Sequence, residues 1–320
     1  MAHERPLGDE MIDIIVPVYN TPRKDLCRCL ESVRKQSYSN YQVYIIDDGS
    51  CLELASYLDE YCSSYPEFTV IHTINQGVGA ARNKGIEVTH SEYLTFVDAD
   101  DTLEVDFLKE SLEILTKNDL DLVVGGYHEI KNGTIVKTRT CVPGFHLYEG
   151  KSLELYFDKL LSGKLRKTNQ ELGDTPTGRI YTKLYKRSVI QDVRFCENIK
   201  ISEDTLFLID LMKNIKRIGV ISNVWYNYYQ NDYSIVHNDV ELVRYLDFIQ
   251  QIYLRMITEE NPLIKNAYCM RIFKTVMNFV SDDNLDILDL LMVREALEQL
   301  SLDDYINVSL KEKNFLRRKK

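Results

Sequence analysis

Between residues 12 and 125, short apolar runs rich in β-branched residues alternate with amphipathic stretches of helical period, and nothing else in the chain constrains its fold as strongly. Strands joined by helical crossovers make βαβ units, which run parallel because each crossover returns the chain to the same end of the sheet. Strands are expected at Asp13–Val18, Gln42–Asp47, Thr69–Thr73, Tyr93–Val97 and Leu120–Gly125. Helices are expected between them at Asp25–Gln36, Cys51–Tyr65, Gly77–Val88 and Val105–Asn118. The expected fold class is α/β, a doubly wound, Rossmann-like sheet. Ligands of such sheets bind beyond the carboxyl ends of the strands, so the residues just after each strand come first in a search for chemistry.

The rest of the chain is patterned differently. Residues 1–11 read as an N-terminal extension, and 12–237 as the sheet domain, divided into a first half at 12–125 and a second at 126–237. The second half holds a hairpin signal at Lys131-Asn132-Gly133 and a loop at Gly173–Gly178. Residues 238–320 read as a helical C-terminal subdomain, in which Val240, Val243, Leu246, Ile249, Ile252 and Met256 form one stripe and Asn261-Pro262 signals a helix start. That subdomain has enough apolar surface to form an interface between copies of the chain. Its tail carries Lys311, Lys313, Arg317, Arg318, Lys319 and Lys320 around Phe315 and Leu316, a composition that suits either anionic lipid or a solvated end.

Composition excludes several classes. Hydrophobic residues make up 44%, enough for a large core, and 39 basic against 49 acidic residues give a formal charge of −10, which offers no diffuse basic surface to nucleic acid. No apolar run approaches the roughly 20 residues of a membrane span, and the first residues lack a signal-peptide pattern. Seven cysteines, an odd number without framework spacing, read as reduced thiols. A cytoplasmic chain is expected.

Four polar clusters fall at strand ends. Val16-Pro17-Val18-Tyr19-Asn20 can offer backbone groups and a ring to a planar ligand. Asp47-Asp48-Gly49-Ser50 precedes a helix, although Asp-Gly-Ser is also ordinary turn and capping chemistry. Asn75 to Gly85 follows a strand and opens a helix with small residues, which allows close backbone approach to a phosphate-bearing ligand, with Arg82 available to negative charge. Close packing of that helix on the sheet is the competing explanation. Asp98-Ala99-Asp100-Asp101 is the strongest cluster, because three carboxylates within four residues repel unless a divalent cation is shared. Asp98 and Asp100 share one side of an extended segment, whereas Asp101 can cap the next helix. Farther on, Ser202-Glu203-Asp204 precedes a helical run, where either of the first two can cap it and a carboxylate can take a proton from an alcohol. Trp225 to Tyr229 suits either a sugar face or the core, and His237 either a metal shell or a structural role.

Taken in order, VPVYN, DDGS, NQGVGAARNKGI, the D-x-D of Asp98–Asp100, the KLY of Lys183–Tyr185, SEDT and the Tyr-rich segment ending at Ser234-Ile235 resemble the family 2 glycosyltransferases of GT-A fold. The resemblance runs from Ile12 to about Ile235. It implies inverting transfer of a hexose from a nucleotide sugar, UDP-galactose or UDP-glucose, to a growing surface glycan or lipid-linked acceptor, with peripheral membrane contact through the basic tail. It further implies a nucleotide-sugar site of Pro17, Val18, Tyr19, Asp48, Asn75, Arg82, Asn83 and Asp98. Mn²⁺ or Mg²⁺ would sit on Asp100 and Asp98, with His237 as a further ligand. Asp204 would be the catalytic base, and Lys183, Glu203 and Ser234 would serve the acceptor or support these groups. One departure stands out: Tyr229 and Gln230 occupy the place where the family often carries Tyr-Arg, which leaves His237 or the Lys164–Lys167 stretch to neutralise the leaving group. Two other classes compete. A nucleotidyltransferase would carry a Gly-rich triphosphate loop that Val18 to Pro22 lacks, and a non-catalytic sugar-binding module would not need both Asp100 and Asp204.

Overall fold

The computed structural model describes residues 10–140, 143–162, 178–199, 201–230 and 242–262, with further helical positions from 264 to 275. The expectations placed on residues 1–9, Cys141, Lys164–Lys167, the 173–177 loop, Ser234, His237, Val240 and the basic tail lie outside the described residues.

The first five strands and four helices are β1 (Ile12–Val18), α1 (Arg23–Arg34), β2 (Tyr41–Asp47), α2 (Leu52–Ser64), β3 (Phe68–His72), α3 (Val78–Val88), β4 (Tyr93–Phe96), β5 (Thr102–Leu103) and α4 (Phe107–Lys117). Then follow β6 (Leu122–Lys131), β7 (Thr134–Arg139), β8 (Phe145–Glu149), α5 (Lys151–Ser162), β9 (Lys183–Lys186), α6 (Arg187–Ile190), α7 (Glu203–Met212), β10 (Arg217–Tyr229) and α8 (Leu242–Thr258). The sheet runs β3-β2-β1-β4-β9-β6-β10-β5, with β7 on β6 and β8 on β10. Strands β1 to β4 pair in parallel, as the alternating pattern predicts. The sheet is mixed: β9 inserts antiparallel between β4 and β6, and β5, β7 and β8 also pair antiparallel with their neighbours. At four residues with lysines at both ends, β9 is too short and too polar to announce itself in the sequence.

All seven residues of β1 are buried, as a parallel strand covered on both faces requires. The buried charge of Asp13 is answered by the His90 and Ser91 N–H groups at 2.8 and 2.7 Å, the Ser91 hydroxyl at 2.8 Å and Arg187 at 3.3 Å. Pro17 is tolerated because β4 pairs with β1 only as far as Ile15–Phe96, so the missing N–H falls where that ladder has stopped. Helix α1 buries Leu26, Cys29, Leu30 and Val33 along one stripe. Helix α3 lies close on the sheet because Gly85 has no side chain: a Cβ there would stand 2.4 Å from Cγ2 of Ile15. The predicted β6–β7 hairpin turns through Asn132 (φ 52°) and Gly133 (φ 74°), the two left-handed positions of a tight hairpin.

The chain divides into two compact units, the first formed by Met1–Gly150, Asp174–Glu197 and Glu203–Ser234, the second by Lys151–Gly173, Asn198–Ser202 and Ile235–Lys320. In the second, α5 buries Leu153, Tyr156, Leu160 and Leu161, and α8 buries Ile249, Ile252 and Met256 of the predicted stripe. Pro262 is helical and the Lys265 N–H donates to the Asn261 carbonyl at 2.9 Å, as expected of an Asn-Pro helix start. Among the described residues no helix is long and apolar enough to cross a membrane.

Candidate active site

Every residue described in this subsection belongs to the first unit. At the end of β1, Pro17 and Val18 are buried in the sheet while Tyr19 is 54% exposed, so the ring and the backbone, not the two preceding side chains, face outward. Asn20 (φ 47°) joins this loop to the next: its N–H donates to Ser50 Oγ at 3.0 Å, and its Oδ1 accepts from the Cys51 N–H at 2.9 Å. Asp48 is 3% exposed and accepts the backbone N–H groups of Gln76 and Gly77 at 2.9 and 2.8 Å. In this structure it fastens the loop that carries the exposed Asn75. Its neighbour Asp47 accepts from the Ser50 N–H at 3.0 Å and meets His72 Nδ1 at 2.7 Å, with Asp59 on the other ring nitrogen at 3.2 Å.

Arg82 on α3 is the centre of the site. Only 4% exposed, its guanidinium reaches Asp98 at 2.9 Å, Glu203 at 2.9 Å and Asp204 at 2.8 Å, and its ring neighbour is Phe195 at 5.4 Å. The sequence offered Arg82 to a ligand's negative charge; the fold gives it three protein carboxylates instead, because α3 and the start of α7 converge beside the end of β4. Asn83 is likewise used internally: its amide bridges the Phe195 N–H (2.8 Å), the Phe195 carbonyl (3.0 Å) and Glu197 (2.8 Å), which braces the wall around Arg82. Burial raises the Asp204 carboxyl to about 7 against the opposing pull of Arg82, and Glu203 pushes it further upward.

The acidic turn after β4 is locked from β10. The Tyr226 hydroxyl accepts the Asp98 N–H at 3.1 Å and donates to Asp101 at 2.8 Å, and Asp101 also accepts the Tyr229 N–H at 2.8 Å. Asp101 therefore does not cap the following helix, whose N-cap residue is Asp106. Arg28 on α1, stacked 3.6 Å over the Tyr229 ring, donates to the Asp100 carbonyl at 2.6 Å. Burial first, then the neighbouring Asp100 and Asp98, push the Asp101 carboxyl well above the usual range. Among the described residues no three His, Cys, Asp or Glu side chains are grouped as a metal shell. The donor set nonetheless fits a hard divalent cation, which can take one or two carboxylates and complete its shell with phosphate oxygens and water. Asp98, 27% exposed on its side chain, and the partly exposed Asp100 are the carboxylates of this turn that could serve.

Lys183, expected near the acceptor, is fully buried on β9, where its Nζ donates to the Arg179 carbonyl and its own carbonyl accepts from Thr95 at 2.8 Å. It holds up the segment above it. Three groups escaped the sequence reading: Arg179, Tyr181 and Arg28. No motif marks them, and only the pairing of β9 with β4 and β6 brings residues 179–181 beside the strand ends.

Residues 13–194 match the family model described as Glycosyl transferase family 2. Glycosyltransferase GlyG of Streptococcus pneumoniae is 35% identical over 120 residues, 37% of this chain and 40% of that protein. Glycosyltransferase GlyA of the same organism is 28% identical over 59% of this chain and 26% of its own length. The chain thus spans less than half the length of either relative. Among solved structures, Staphylococcus aureus TarS 1-349 in complex with UDP-GlcNAc matches with a TM-score of 0.68 at 20% identity, over 94% of this chain and 82% of that one. The mannosyltransferase PcManGT from Pyrobaculum calidifontis, in complex with GDP-Man and Mn²⁺, matches with a TM-score of 0.55 at 14% identity, over 96% and 78%. These structures share the mixed α/β sheet of the GT-A fold, and the family match takes in the acidic turn after β4 and Arg82. The chain belongs to glycosyltransferase family 2.

Proposed function

We propose that the chain catalyses inverting, metal-dependent transfer of a hexose from a nucleoside diphosphate sugar, UDP-galactose or UDP-glucose, to a hydroxyl of a growing surface glycan or lipid-linked acceptor. The supporting observation is the Arg82 guanidinium, which ties Asp98 of the acidic turn directly to Glu203 and Asp204. Donor-side carboxylates and a proton acceptor thus share one rigid hub. The nucleotide sugars named for TarS and PcManGT favour the same donor class, and the Mn²⁺ of PcManGT favours a cation.

Asp98 and Asp100 would hold Mn²⁺ or Mg²⁺, which supplies charge neutralisation to the departing diphosphate. Asp204 takes the proton of the acceptor hydroxyl as that oxygen attacks the anomeric carbon from the face opposite the diphosphate, with no covalent enzyme intermediate. A carboxyl poised at about 7 is suited to that task, being largely ionised just above neutrality yet basic enough to accept a proton. Tyr19, exposed at the end of β1, offers its ring to the nucleobase. Transfer onto a lipid-linked acceptor would place the chain at a membrane face.

NMR of the product formed from an α-linked donor tests the stereochemistry: a β-linkage is expected, and an α-linkage refutes direct displacement. Asp204→Asn should lower turnover roughly 10²–10⁴-fold. Loss of donor binding with unchanged chemistry would assign Asp204 another role, and full activity in chelator would remove the cation.

A further inference from the structure

We infer that Arg179 recognises an anionic group, a phosphate or a carboxylate, on the acceptor substrate, with Tyr181 and Tyr228 as the ring platform that aims it. The inference rests on the transfer proposed above and names the chemical class of its acceptor.

Arg179 is solvent-exposed, and its Cζ lies 6.0 Å from the Tyr181 ring centroid and 5.9 Å from that of Tyr228. Arg82, Arg28 and Arg187 each have a carboxylate partner, whereas Arg179 has none within ion-pair distance among the described residues. Asp204 lies within electrostatic reach of the guanidinium but is bonded to Arg82. An exposed guanidinium held by rings beside a proton acceptor keeps its planar fork free for an oxyanion.

The position is built, not incidental. The buried Nζ of Lys183 holds the Arg179 carbonyl, and the Tyr185 hydroxyl holds the Ile180 carbonyl at 2.8 Å. Thr182, β-branched, sits at φ 64°, a strained conformation that persists only where the surroundings impose it. The Tyr181 hydroxyl and Thr182 Oγ1 are buried without a hydrogen-bond partner among the described residues, in residues 2% and 1% exposed. Unsatisfied groups and strain concentrated in neighbouring residues are features of a ligand-binding segment. Tyr181 stacks on Tyr226 at 4.3 Å, and Tyr226 locks the acidic turn, so the platform is continuous with the donor side.

Inversion decides which ligand group Arg179 meets. In the proposed displacement the base and the leaving diphosphate lie on opposite faces of the anomeric carbon, and Asp204 is the carboxylate within electrostatic reach of Arg179. Its counter-ion therefore belongs to the acceptor.

The test uses the full chain with Mn²⁺. UDP binding is first titrated by calorimetry; a chain that does not bind UDP fails the transfer reading itself. With UDP saturating, glucose, glucose 6-phosphate and glucuronate are then titrated as probes. One of the charged sugars should bind about tenfold or more tighter than glucose, the scale of one charge-assisted pair, and the two arms separate phosphate from carboxylate. In Arg179→Gln that preference should fall to about twofold or less, with Arg179→Lys between, since an ammonium keeps the charge and loses the fork. Equal binding of all three probes to the wild type, or a preference that survives in Arg179→Gln, overturns the inference. So does a loss of UDP affinity in Arg179→Gln of about tenfold or more, the same one-pair scale, which would place Arg179 on the leaving diphosphate.

Discussion

Replacing Arg82 by Met removes a buried cation and keeps most of its apolar stem, which isolates the charge. Three carboxylates at 2.8–2.9 Å lose their common partner. Removing one member of a buried ion pair costs about 3–5 kcal/mol because the remaining charge stays in a poorly solvated place. Here Asp98, Glu203 and Asp204 are 27%, 13% and 17% exposed on their side chains, so water can reach them in part and the lower end, about 3 kcal/mol, is expected. A second effect has a definite sign. Burial already lifts Asp204 to about 7, and Arg82 is the leading influence holding it down, so its loss moves proton uptake to higher pH. The base proposed here works ionised, so the rising limb of kcat/KM against pH is expected to move upward. Urea unfolding measures the first effect and the pH dependence of UDP release the second. A loss below about 1 kcal/mol together with an unmoved limb would refute the hub, since a removed buried partner cannot be that cheap.

Gly85→Ala should destabilise by about 1–3 kcal/mol from overpacking against Ile15, more than the helix propensity of Ala returns. Adding Ile15→Ala should remove much of the penalty, and purely additive losses in that double-mutant cycle would disprove the contact. Asp101→Ala strands the Tyr226 hydroxyl and the Tyr229 N–H, at about 1–3 kcal/mol; unchanged melting together with unchanged donor binding would show that the acidic turn needs no lock. His72 is held above its ordinary pKa by its bond to Asp47, against a smaller opposing burial, with further help from Asp59. A histidine raised on folding contributes stability that is complete below about pH 6.5 and is lost as pH rises through the folded value. NMR titration of the His72 ring should show the raised midpoint, and the melting temperatures of wild type and His72→Gln should converge as pH rises. Parallel pH profiles would contradict the clamp.

Periodicity located β1 to β4 and α1 to α4 to within two residues at most boundaries, because buried parallel strands and amphipathic helices leave regular apolar patterns. It could not find β9, whose four residues are set by pairing on both edges. The strand-end rule drew attention to the acidic turn, and the helical run after Ser202 drew attention to the Glu203-Asp204 pair, since clustered carboxylates are conspicuous. What each polar residue touches was less legible. Arg82 and Asn83 have the chemistry of ligand contacts and serve as internal braces, and Asp101 has the chemistry of a helix cap and answers Tyr226 instead. Arg179 carries no motif at all.

The sequence by itself determined the class of fold, the family and the chemical kinds gathered at the strand ends, because those depend on local pattern and on residue type. Which carboxylate meets which cation was decided only by tertiary structure. Arg82 and Asp204 are 122 residues apart in the chain, and their 2.8 Å contact exists because helix α3 and the start of α7 converge beside the end of the central strand β4. Charge–charge distance there is a consequence of packing, and packing is not written in any one segment.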